Sequence, residues 1–199
     1  MKFKFIIISL FLLISAQTVC ADLTVFFDCN RFLTENNNTI FEITYKIFHK
    51  DLQFEYFEDK LSAQIGVQCF IFDKQGKKLY NKFYSPMISA SPGKTTIESE
   101  GFFIDKIIAE VTPGTYQFDI EIMDRLSGKK IVWNKILETL DTDELSISDL
   151  EINSFFKSDT TKSFTNFKRD NFIFLVNPNH LINPEESLGF AYYFEVYFP

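Results

Sequence analysis

"FEITYKI", Phe41 to Ile47, decides the fold. Phe41, Ile43, Tyr45 and Ile47 fall at every second position, with Glu42, Thr44 and Lys46 between them. A period of two with β-branched and aromatic residues reads as a half-buried antiparallel strand, one face on a core and one in water. The same pattern recurs at 116–122, where Tyr116, Phe118, Ile120 and Ile122 alternate with Gln117, Asp119 and Glu121. A longer run at 61–73 puts Leu61, Ala63, Ile65, Val67, Cys69 and Ile71 on one face. Its other face starts polar and ends with Phe70 and Phe72, which predicts cover on both sides toward that end. Further strands are expected near 23–32, 78–85 and 130–140, and 97–108 reads as a strand with a short turn.

Turn chemistry separates these runs. Asn36-Asn37-Asn38 precedes the Phe41 strand, and Asp73 to Lys77 closes a hairpin around Gly76. Ser91-Pro92-Gly93 breaks the chain, Pro113-Gly114 leads into the Tyr116 strand, and Asp124 to Lys129 forms the next hairpin around Gly128. No window carries a capped helical period. Roughly seven or eight strands at this spacing predict an all-β fold, an immunoglobulin-like antiparallel β-sandwich over 22–143. Trp133 and the many Phe residues supply ample core filling.

After the acidic joint Asp141-Thr142-Asp143-Glu144, a new alternating run opens at Leu145 and continues to Ile152. A polar loop at 157–168 follows, then apolar 172–176, then Asn177-Pro178-Asn179 and Asn183-Pro184. The block 144–199 is near the marginal size for independent folding and reads as a partial second β module. It closes on "FAYYFEVYFP", Phe190 to Pro199, a β-prone run followed by no turn or partner strand. A strand edge there, carried by Tyr193, Glu195, Val196 and Tyr197, could fold back on the first module, add to a sheet of another chain, or stay loose.

The N-terminus states where the protein goes. Lys2 and Lys4 precede an apolar run from Phe5 to Ser15, and Val19-Cys20-Ala21 offers a small-residue cleavage site. Residues 1–21 therefore read as a secretory signal peptide. The run is shorter than the roughly 20 apolar residues of a spanning helix, so no transmembrane span is expected after cleavage. Lipid anchoring at Cys20 is the alternative processing route. Removal of that segment, which carries two lysines and no acid, deepens the net charge from −7 to −9. Such a surface repels nucleic acid and anionic lipid.

Cys29 and Cys69 remain after cleavage. They could bridge in an oxidising compartment, or serve as two small buried hydrophobes. No CxxC, HExxH, GxSxG, P-loop or GxGxxG pattern occurs, and no cofactor is implied. His49 and His180 both read as loop residues. Asp141, Asp143, Glu144 and Asp149 could gather calcium at the joint, although acidic linkers are usually just solvated. Tyr80, Phe83 and Tyr84 are candidates for a sugar-stacking surface.

Four stretches carry a family likeness. They are Phe41-Glu42-Ile43; Pro113-Gly114-Thr115-Tyr116 with Asp124 and Ser127-Gly128; Ser148-Asp149-Leu150-Glu151; and Val176-Asn177-Pro178-Asn179 with Tyr193 to Tyr197. In that order they resemble the N-terminal region of the bacterial GWxTD-domain family of exported proteins. The resemblance implies tandem β-sandwich modules followed by a more helical domain bearing Gly-Trp-x-Thr-Asp. That motif is absent here, where Trp133 is the only Trp. The second module then reads as truncated, and the likeness lends no catalytic residues. The expectation is an exported, non-catalytic interaction or scaffold module, periplasmic, outer-membrane-associated or extracellular. Its partner would be another envelope protein or a second copy, met through the C-terminal strand edge. A carbohydrate- or ligand-binding sandwich and a remnant without independent function are the alternatives.

Overall fold

The computed structural model describes residues 23–90, 101–141, 145–158, 165–169, 171–180 and 190–198. The signal segment, Asp143 and Glu144 lie outside them. Nine strands form the first module: β1 (Phe26–Leu33), β2 (Thr39–Phe48), β3 (Glu55–Phe57), β4 (Lys60–Phe72), β5 (Lys78–Tyr84), β6 (Met87–Ala90), β7 (Phe102–Val111), β8 (Thr115–Asp124) and β9 (Lys130–Glu138). Six more follow among the described residues: β10 (Ser146–Ile147), β11 (Glu151–Ser158), β12 (Lys168–Arg169), β13 (Phe172–Val176), β14 (Ala191–Tyr193) and β15 (Val196–Tyr197). Every pairing among them is antiparallel.

The first module is a two-sheet sandwich. One sheet runs β1-β2-β7. The other is built on β4, whose C-terminal half lies between β5 and β8, with β9 beyond β8. β3 and β6 pair its first residues. Three strands facing β5-β4-β8-β9 is an immunoglobulin-like arrangement. The alternation dictates it: Phe41, Ile43, Tyr45 and Ile47 of β2 are all 0% exposed, as are Ile65, Val67, Cys69 and Ile71 of β4. Phe41 meets Phe118 of the opposite sheet at 4.9 Å between ring centroids. Each such side chain contributes about 1.5–3 kcal/mol by leaving water.

Two local devices explain residues conspicuous in the sequence. The Tyr116 hydroxyl donates back to the carbonyl of Thr112 at 2.8 Å. That tyrosine corner ties the β7–β8 turn of the sandwich, and it gives Pro113-Gly114-Thr115-Tyr116 a physical reason. Asp124, 0% exposed, accepts from the backbone of Leu126 and Gln53 and from the Ser127 hydroxyl. One carboxylate thus closes the β8–β9 hairpin and fastens the segment before β3. Gly76 and Gly128 take φ of +75° and +72° in the two hairpins.

Three expectations need correction. Phe70 and Phe72 are only half-buried, and a side chain rather than a packed layer lies over them: the Lys78 ammonium is 4.3 Å from the Phe70 ring. The layer instead lies on the other sheet, over the polar face of β2. Thr44, placed in water by its alternation, is 0% exposed, and Lys106 of β7 is 7% exposed. The closing run is also not one strand. It splits at Phe194-Glu195 into β14, which pairs β11, and β15, which pairs β10.

The second module is a four-stranded sheet, β12-β13-β11-β14, with the β10–β15 ribbon beside it. Register shows why they belong together. Ser146 pairs Tyr197 and Ile147 pairs Val196; past a break, Glu151 pairs Tyr193 and Asn153 pairs Ala191. The break is bridged by Ser148, whose N–H donates to the Glu195 carbonyl at 2.9 Å and whose hydroxyl accepts from the Glu195 N–H at 2.8 Å.

Candidate functional site

The joint between the modules is where polar groups converge. Arg31 of β1 forks onto Asp149, with Nε 2.7 Å from Oδ2 and Nη2 2.7 Å from Oδ1. The Arg31 N–H donates to the same carboxylate, and the Asp149 N–H donates to the Arg31 carbonyl. The hydrogen bond to Asp149 raises the Arg31 pKa. Asp149 is thereby committed to an ion pair rather than to a calcium site. Asp141, exposed, is the other described member of that proposed set. Among the described residues no group of three His, Cys, Asp or Glu is placed to hold a metal.

A second cluster is buried deeper. Glu42 of β2 accepts from Lys106 of β7 at 2.6 Å and from Arg169 of β12 at 2.8 Å. Arg169 also reaches Glu151 of β11 at 3.0 Å, and Lys106 stands 3.8 Å from it. Two carboxylates and two cations therefore balance across the joint, with the Glu151 side chain 1% exposed. Burial works to lower the Arg169 pKa, but Glu42, Glu151 and the hydrogen bond to Glu151 outweigh it and the net shift is upward. The guanidinium lies against the rings of both Phe32 and Tyr193, 4.4 and 4.5 Å from their centroids. Stacking on aromatic faces while forking to carboxylates suits Arg and would not suit Lys. Phe167, Ile173 and Val176 close the joint with Ile104 of β7.

The predicted edge residues divide between two faces. Tyr193, Glu195 and Tyr197 turn toward the first module. The Tyr197 hydroxyl accepts from the Leu33 N–H at 3.0 Å and donates to Glu195 at 2.6 Å, while Tyr193 donates to the other Glu195 oxygen. Burial, then the Glu195 hydrogen bond, lifts the Tyr193 phenol to about 12. Val196 points outward, 42% exposed, alongside Tyr192 at 60% and Phe194 at 45%. Ile147 and Leu150 share that outward exposure.

Other sequence candidates fall elsewhere. Cys29 and Cys69 are free thiols, Cys69 within the core and Cys29 packed against it. Burial first, then the nearby carboxylates Asp149 and Asp28, pushes the Cys29 thiol up to about 12. Burial likewise pushes Cys69 up to about 12. Neither offers a thiolate at neutral pH. Tyr80 and Tyr84 pack on the core while Phe83 points out, so the three share no platform. His49 packs against Phe54, and burial lowers its pKa. His180 lies 3.4 Å from Asp28.

The buried tetrad itself was missed in the sequence. Its residues are scattered over four strands, and each looks like an ordinary outward charge.

No family model and no curated protein matches the chain. Among solved structures it is similar to one described as a "putative beta-galactosidase from bacteroides fragilis", at 12% identity and a TM-score of 0.37. The likeness covers 64% of this chain and spans 17% of that one. At that level it carries no argument about what this protein does.

Proposed function

We propose that the protein is an exported, non-catalytic interaction or scaffold module of the bacterial cell envelope. The observation that carries this reading is the outward face of the second module. Ile147, Leu150, Tyr192, Phe194 and Val196 are each between 42% and 60% exposed on one side of a small sheet whose other side is locked to the sandwich. Apolar faces of this kind mark contact surfaces. The basic-then-apolar leader of residues 1–21 supports export, and the four stretches resembling GWxTD-domain proteins support an envelope setting.

The test is a photo-crosslinking residue placed at Tyr192 or, as a control, at Phe83 on the sandwich, in cells exporting the tagged chain. The reading predicts cross-linked species from position 192 and none from 83, on a chain beginning at Asp22. Absence of adducts from 192, or a chain retained uncleaved in the cytoplasm, contradicts it.

A second reading is ligand binding by the sandwich. It is favoured by a recess of about 470 Å³ lined by Asp73, Lys74, Thr115, Gln117 and Ile136. Saturable binding on a glycan array that is lost in Gln117→Ala would select it over the first.

A further inference from the structure

We infer that the outward face of the second module is the contact between two copies of this chain, packed face to face about a two-fold axis. The inference rests on the interaction-module reading above and names its partner. Three observations lead to a second copy.

The first is charge. The chain carries −7 overall, so copies repel over most of their surface. This face is different, because the described acids beside it are turned away from it or paired. Glu195 is held inward by Tyr193 and Tyr197, Asp149 is forked by Arg31, and Glu151 is buried under Arg169. Like copies meeting here do not bring those three carboxylates together, and none of the three is left outward for a charged partner to pair with.

The second is area. Phe198, at 81% exposed, extends the row of Ile147, Leu150, Tyr192, Phe194 and Val196. These six side chains present on the order of 650 Å², and the chain between them brings the face near the roughly 800 Å² per partner of a standard interface. The third is geometry. β14 ends its sheet and β15 pairs only β10 among the described strands, so the face is a small twisted sheet of the kind that packs on its equal. An isologous contact uses one surface twice and needs no second evolved patch.

Sedimentation velocity on the exported chain, beginning at Asp22, at micromolar concentration should give twice the mass of one chain. The paired substitution Tyr192→Asp with Val196→Asp should weaken association by about a hundredfold while the thermal transition of the sandwich stays in place. Phe198→Asp, at the rim, is a milder second variant expected to act in the same direction. Ile136→Asp on β9, outside this face, should leave the dimer intact. A monomeric wild type overturns the inference, as does a dimer that survives all three face substitutions, or a monomer that binds phosphatidylcholine vesicles through this face. If the wild type is monomeric yet cross-links from position 192 to another protein in cells, only self-association fails. If neither occurs, the interaction-module reading fails with it.

Discussion

The two faces of β2 sit in different kinds of matter. On one, Phe41, Ile43, Tyr45 and Ile47 are sealed in hydrocarbon with Phe118, Ile120 and Ile122 of the facing sheet. On the other, Glu42 is sealed among ions contributed by three other strands. Hydrocarbon burial is additive and forgiving of detail, because every side chain removed from water contributes. A buried ion cluster contributes little net stability when complete and costs much when one member is missing. The core therefore sets whether the first module folds, and the joint sets where the second module sits.

The comparison can be broken at its strongest point first. Phe118→Ala should cost about 4 kcal/mol by opening a cavity against Phe41. Because the joint rests on the sandwich, denaturant unfolding should then show both modules losing structure in one transition at lower midpoint.

Glu151→Ala tests the other side. It leaves Arg169 and Lys106 sharing Glu42 alone, at about 3 kcal/mol. The loss should fall on the second module, so amides of β11 and β13 should exchange sooner while those of β4 and β8 keep their protection. Equal acceleration in both modules would erase the distinction drawn here. Asp149→Ala removes a carboxylate that accepts from the Arg31 fork and from its backbone N–H, worth about 2 kcal/mol. Added salt should narrow that difference, since the pair is about 30% exposed where the Glu42 cluster is not.

Tyr116→Phe is the smallest change. It deletes the corner hydrogen bond to Thr112 while keeping the ring, at about 1 kcal/mol. Its effect should appear in the melting temperature of the sandwich and leave the second module's docking untouched.

How far the sequence could be read follows from the same contrast. Alternation placed β2, β4 and β8 close to their ends, because a strand with one buried face writes its period into adjacent residues; turn residues bounded β5 and β9, and β13 was visible as an apolar run. It missed β3 and β6, which are short and pair only the first residues of β4. It also misread the outward side of β2. Glu42, Thr44 and Lys46 have the same pattern whether water or another module covers them, and nothing local separates the cases. The tetrad lies on four strands and closes through Arg169, whose setting is written only in the fold. The closing run was legible as β-prone, but its division at Phe194-Glu195 depends on Ser148, nearly fifty residues earlier in the chain. Sequence spacing alone could not show that Tyr193 and Tyr197 would face inward and Val196 outward.

The central claim is that the second module is docked through the buried ion cluster. A double-mutant cycle between Glu42 and Arg169 tests it most directly, because the two residues belong to different modules and touch at 2.8 Å. Stabilities of Glu42→Gln, Arg169→Met and the double variant should depart from additivity by about 2 kcal/mol. Additive effects, within about 0.5 kcal/mol, would mean the two side chains do not meet in solution and would contradict the account.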